Sequence, residues 1–230
     1  MVRVQNRLLV LTLLLAACGE DPIFAGSCPA PAFNGVCIDA VKDWADACCL
    51  DPAWTLPACG TSTVLDGGEF DGKHIETTEA IEYTENPPMS GPHRAYWPAW
   101  GEYTFLPKQR WLHGLEHGGV AILYHPCAPK ELVDKLRKYA QMHAPDDGGP
   151  LRWMLTPYPD LDSAFSLVTW KHRFKANCFD LASADAFLTA HYRKASEDVP
   201  SDGPYSCEWL GRNVTTSISQ DATSTTNSRD

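Results

Sequence analysis

The sequence has no surplus of basic residues, no Cys-x-x-Cys pair, and no apolar run long enough to cross a bilayer as a mature helix. Each absence removes a class of function. With 19 Lys and Arg against 29 Asp and Glu, the formal charge is −10. That balance argues against an extended phosphate-binding surface and against nucleic acid as a partner. Without Cys-x-x-Cys, thiol–disulfide exchange lacks its usual pair of thiols, and thiolate zinc sites lack their usual spacing.

What is present at the N-terminus sets an expected compartment. Arg3 and Arg7 precede the apolar stretch Leu8 to Ala17, which is too short for a membrane span and reads as a secretory signal. It ends in Leu15-Ala16-Ala17-Cys18, which resembles a bacterial lipoprotein signal. On that resemblance, residues 1–17 are removed and Cys18 is lipidated, so the membrane is a partner through the lipid. Gly19 in place of Asp points to the outer membrane of a two-membrane cell. Removing Cys18 leaves Cys28, Cys37, Cys48, Cys49, Cys59, Cys127, Cys178 and Cys207, an even set that in an exported chain reads as a disulfide framework of undetermined pairing.

The expected domain order follows. Residues 18–27 form a tether, and residues 28–60 a Cys-rich cap with a short helix near Ile38 to Leu50. Residues 61–210 form an α+β domain with its core at about 74–195, and residues 211–230 a disordered tail. Within the domain, Asn86-Pro87-Pro88-Met89-Ser90-Gly91-Pro92-His93 excludes helix and central strand, leaving a stiff loop that fixes His93. Val120 to Tyr124 reads as a strand, and Pro129 to Met142 as a helix burying Leu132, Leu136, Tyr139 and Ala140. Leu151 to Thr156 and Phe165 to Trp170 read as strands. Ser183 to Tyr192 reads as a helix capped by Ser183 and burying Ala186, Phe187 and Ala190. The expectation is a small mixed sheet with two packing helices, disulfide-braced, its strand-helix-strand-strand-helix order resembling the second half of a thioredoxin-like sheet.

The chemistry is concentrated in His113-Gly114-Leu115-Glu116-His117-Gly118-Gly119. Residues four apart share a face on a helix, so His113 and His117 can face one ion there; on a strand they stand roughly 13 Å apart. His-x-x-Glu-His is also the inverted zinc-protease spacing, but that motif needs a long helix. Here the glycines and the following strand limit the helix to about Lys108 to His117, stopped by Gly118.

Tyr83-Thr84-Glu85-Asn86-Pro87-Pro88-Met89-Ser90-Gly91-Pro92-His93, Trp97, Gly101-Glu102-Tyr103, the His113 to Val120 block and Tyr124-His125-Pro126 together resemble a domain of unknown function, DUF3105. Met89 replaces the threonine usual in its proline block. The resemblance carries no activity, so function rests on the residues. His93, His113 and His117 are the candidate ligands of one transition-metal ion, copper or zinc. Glu116 is the candidate acid/base or outer-shell group, and Met89 a possible soft ligand, with Met142 and Met154 further sulfurs that would favour copper. His74, His125, His143, His172 and His191 share no spacing and read mostly as surface or loop residues. The alternative is a non-catalytic binding module with structural histidines and a contact patch of Trp97, Trp100, Tyr103 and Trp111.

Overall fold

A computed structural model describes residues 54–67 and 72–213. The signal, Cys18, the tether, the cap helix, Cys28, Cys37, Cys48 and Cys49, and the tail after Asn213 lie outside the described residues.

The domain is α+β, but larger than expected. Seven strands, β1 (Thr63–Asp66), β2 (Gly101–Tyr103), β3 (Val120–Tyr124), β4 (Trp153–Pro157), β5 (Phe165–Thr169), β6 (His172–Ala176) and β7 (Trp209–Gly211), form one mixed sheet in the order β1-β6-β5-β3-β4-β2-β7. Among the described residues three helices accompany it: α1 (Lys108–Glu116), α2 (Lys130–Met142) and α3 (Leu181–His191). Strands β3, β4 and β2 run parallel, and the remaining neighbours are antiparallel.

The sheet divides two cores. Alternation sends Val120 and Ile122 of β3 to one side, where Leu132, Leu136, Tyr139 and Ala140 of α2 and Phe187 of α3 meet them. Ala121 and Leu123 go to the other side, against Trp111, Leu112 and Leu115 of α1, with Trp100, Tyr103 and Trp170. Strands β3, β4 and β5 are thus covered on both faces, which explains their almost continuous apolar sequences.

The α2 face matches the expected periodicity residue for residue. Helix α3 departs from it. Asp180, not Ser183, is the N-cap, its carboxylate accepting from Ser183 N at 2.8 Å, and Ala184, Phe187 and Leu188 are buried while Ala186 and Ala190 face out. An Asp three residues ahead of a serine outcompetes that serine as acceptor for the first-turn N–H groups.

Helix α1 ends as its glycines dictate. His117 N–H still donates to His113 O, and Gly118 then takes φ +84°, a left-handed conformation that stops the helix before β3. Cys59 is bonded to Cys178, joining the N-terminal strap to the loop before α3, and Cys127 and Cys207 are disulfide-bonded as well. The expected contact patch is not at the surface. Trp100, Tyr103 and Trp111 are buried in the α1 core, and Trp97 is half-buried.

Candidate metal centre

Four segments converge at the C-terminal end of α1. The helix supplies His113, Glu116 and His117, and all residues from Arg110 to Glu116 are buried. The proline loop supplies His93, and it is pinned by Arg173 donating to Pro87 O at 2.7 Å and by Lys171 N–H donating to Met89 O at 2.9 Å. Residues 73–75 lie beside it: His93 N–H donates to Lys73 O at 3.0 Å and Ile75 N–H to His93 O at 2.8 Å. This two-bond bridge sets His74 opposite His93. The fourth segment, Ser196 to Val199, crosses the end of α1 through Glu197 N–H to Glu116 O and Val199 N–H to His117 O, bringing Glu197 to His117.

The backbone fixes the imidazole tautomers. His93 Nδ1 lies 2.9 Å from Gly91 O, and His113 Nδ1 lies 2.8 Å from Arg94 O. A carbonyl only accepts, so both Nδ1 atoms carry hydrogen and each ring turns its Nε2 inward. His93 Nε2 is 3.1 Å from Glu116 Oε2, yet that buried nitrogen makes no hydrogen bond. The pair is close but bent. His113 Nε2 faces His117 Nε2 at 3.0 Å, while the latter also lies 3.0 Å from Glu197 Oε2. One N–H on His117 cannot point at both acceptors, and the buried Nδ1 of His117 has no hydrogen-bond partner.

Burial keeps the rings of His113 and His117 neutral. Burial holds the His113 imidazolium down to about 3, helped by the neighbouring histidines and opposed by its bond to Arg94. Burial likewise holds His117 down to about 4, with Glu116 pulling the other way. For Glu116, burial raises the carboxyl pKa, but His93 and Ser196 more than offset it and the net shift is downward. The site thus sets two neutral imidazoles, His113 and His117, beside an ionised carboxylate, the protonation states that a metal ion requires of its ligands.

One ligand atom each from His74, His93, His113 and Glu116 comes within 4.8 Å of the others. His74 is exposed and the other three are buried, so the cluster opens on the His74 side. Of the residues singled out in the sequence, His93, His113 and Glu116 are in this group. His117 borders it through His113 and is tied to Glu197. Met89 is buried in the α1 core, its methyl end against Gly67. Met154 is also in that core, and Met142 is exposed on α2. His125 stacks on Trp54 at 4.3 Å and accepts from Cys127 N–H.

Sequence reading missed His74 and Glu197. Neither has a spacing relation to the α1 motif, since each is delivered by backbone pairing between distant segments. A signal does exist at Gly72: a Cβ there would lie 1.7 Å from Glu116 Oε1, so the strap before His74 passes over the carboxylate in its present position because residue 72 is glycine.

No curated protein and no solved structure matches the chain. Residues 74–208, more than half of the chain, match the family described as Protein of unknown function (DUF3105), so that the span beginning at His74 and containing every residue of this cluster places the chain in that family.

Proposed function

We propose that this is a lipid-anchored extracytoplasmic protein that holds one transition-metal ion, zinc or copper, in the cluster of His74, His93, His113 and Glu116, with His117 beside it. One observation carries the reading. With both Nδ1 atoms committed to backbone carbonyls, the Nε2 of His93 faces the ionised Glu116 carboxylate in a buried space, and His113 brings a ligand atom within 4.8 Å of both. A cation satisfies lone pairs and carboxylate together. The carbonyl bonds to Nδ1 are the outer-shell partners that orient metal-binding imidazoles. The negative end of α1 favours a cation as well.

The donors are imidazole and carboxylate, with the Met89 thioether turned into the core, so zinc or copper(II) fits better than copper(I). An ion there, reached from the exposed His74 side, would supply Lewis-acid activation of water, with Glu116 and Glu197 the carboxylates placed to take a proton, or one-electron chemistry if it were copper. Export and the anchor at Cys18 rest on the N-terminal sequence, supported by the Cys59–Cys178 bond, which suits an oxidising compartment. The β3-α2-β4 unit followed by the β5-β6 pair and α3 supports the thioredoxin-like reading of the second half.

A second reading has its own observation: His93 lies against Glu116 and His117 against Glu197, each histidine beside one carboxylate. On that reading the cluster is a structural polar network in a non-catalytic binding module. The full chain, purified in detergent without a His tag, separates the two. Metal analysis after desalting is expected to find one tightly held equivalent of zinc or copper, absent in His113→Ala. No retained metal, with no thermal shift on adding either ion, would leave only the structural reading.

A further inference from the structure

We infer that a second, exchangeable transition-metal site lies on the opposite face of the sheet, formed by Asp66, His172 and His191. It shares no residue with the buried cluster and does not rest on the reading proposed for it. One donor atom from each of the three comes within 4.8 Å of the others.

Three elements bring them together. Asp66 ends the edge strand β1 and stands directly across from His172, the first residue of β6. Cross-strand partners hold their Cβ atoms about 5 Å apart, and Asp66 Oδ1 reaches His172 Nδ1 at 2.7 Å. Strand alternation puts His172 on the side of Phe174 and Ala176, both in the core beneath α2 and α3. His191 is the last residue of α3, and its ring stacks on His172 with centroids 3.9 Å apart. Phe187, one turn earlier, holds the His191 ring at 5.0 Å and packs on Phe174. The imidazole pair is therefore positioned from the core.

The chemistry favours a cation over a plain hydrogen bond. Two stacked imidazoles repel if both are protonated, whereas one divalent ion satisfies both nitrogens and the carboxylate together. The end of α3 adds the negative pole of the helix and its last unsatisfied carbonyls. Two nitrogens and one oxygen select zinc, copper(II) or nickel(II) over calcium or magnesium. Asp66 is exposed and both histidines are partly exposed, so water completes the coordination shell and the ion exchanges with solvent. The buried cluster, by contrast, is covered on most sides.

The test is a calorimetric zinc titration of the full chain in detergent, run on wild type, a His93→Ala/His113→Ala double variant and a His172→Ala/His191→Ala double variant. The expected result is one equivalent lost in the second double variant but kept in the first. Asp66→Asn, close to isosteric, is expected to weaken that equivalent by at least about tenfold, the lower bound for losing even an outer-shell partner. In the His93→Ala/His113→Ala background, bound copper(II) should show nitrogen hyperfine structure by electron paramagnetic resonance, lost when His172 and His191 are also replaced. Wild-type stoichiometry and affinity in the His172→Ala/His191→Ala protein, or in a folded Asp66→Asn protein, would overturn the site whatever the buried cluster does. Retention of all zinc by the His93→Ala/His113→Ala protein would instead count against the buried cluster alone.

Discussion

The two faces of the sheet are closed by different means. On one, α2 and α3 lay periodic apolar stripes over Val120, Ile122, Leu155 and Phe174, and the result is an almost purely apolar layer. On the other, α1 is buried nearly all round and is completed by the proline loop, the 72–75 strap and the 196–199 segment, none of them a regular element. Irregular segments bring unpaired backbone groups into the interior, and these need polar partners. Gly91 O and Arg94 O find theirs in His93 and His113. The loop-closed face therefore accumulates buried histidines, and the helix-closed face has no reason to.

The largest effect expected from this contrast is on the helix face. Leu136 is fully buried on α2, and Leu136→Ala should cost about 2–5 kcal/mol by chemical denaturation. Metal stoichiometry at temperatures where the variant is folded should be unchanged. Loss of metal together with stability would mean that the faces are not energetically separate. Acid should act mainly on the other face. Unfolded imidazoles take a proton near pH 6.5, whereas folded His113 and His117 hold out to about 3 and about 4. Between those limits the unfolded state binds more protons, so metal-free stability falls as pH falls. The contribution is fully present above pH 6.5 and lost progressively toward pH 4 and below, with a limiting slope of about 1.4 kcal/mol per pH unit for each histidine. Denaturation midpoints at a series of pH values should show the slope, and His113→Gln should reduce it; an equal slope in that variant would mean the acid sensitivity arises elsewhere.

The same contrast governs what could be read from sequence. Helix α2 was legible because its stripe of Leu132, Leu136, Tyr139 and Ala140 has the 3.6-residue period. The extent of α1 was legible from its glycines rather than from periodicity, since a helix buried all round shows no polar face. Strand β6 was not legible. It follows a two-residue turn, Trp170-Lys171, in which Lys171 takes φ 68° without the Gly or Asn that usually marks such turns. The short strands β1, β2 and β7 have three or four residues each, too few for an alternating pattern to stand out. At the candidate site, His113, Glu116 and His93 were visible because a motif and a rigid loop contain them. His74 and Glu197 were not, because non-local backbone hydrogen bonds place them.

Gly72 tests whether the loop-closed face tunes the cluster rather than merely covering it. A methyl group at Gly72 collides with the end of the Glu116 side chain, which can swing aside, so Gly72→Ala should leave the fold and change the carboxylate position. The expected outcome is a roughly 10–100-fold loss of metal affinity with the melting temperature of the metal-free protein within a few degrees of wild type. An unchanged affinity in a folded protein would remove Glu116 from the metal's immediate surroundings.

The smallest expected effect belongs to the helix face and separates two serviceable-looking caps. Asp180 Oδ2 accepts from both Ser183 N and Ser183 Oγ at the start of α3. Because the carboxylate is the group that satisfies the orphan first-turn N–H, Asp180→Ala should cost about 1 kcal/mol. Ser183→Ala loses only an exposed hydroxyl contact and should cost a few tenths. The Asp180 carboxyl is held below its ordinary value by the Ser183 contacts, first the hydroxyl and then the backbone N–H. The native carboxylate is thus favoured at neutral pH, and the gap between the variants should narrow as the medium is acidified through the carboxylate range. Equal costs for the two substitutions at pH 7 would make Ser183 as much the cap of α3 as Asp180, so that the carboxylate would no longer be the group that satisfies the first turn.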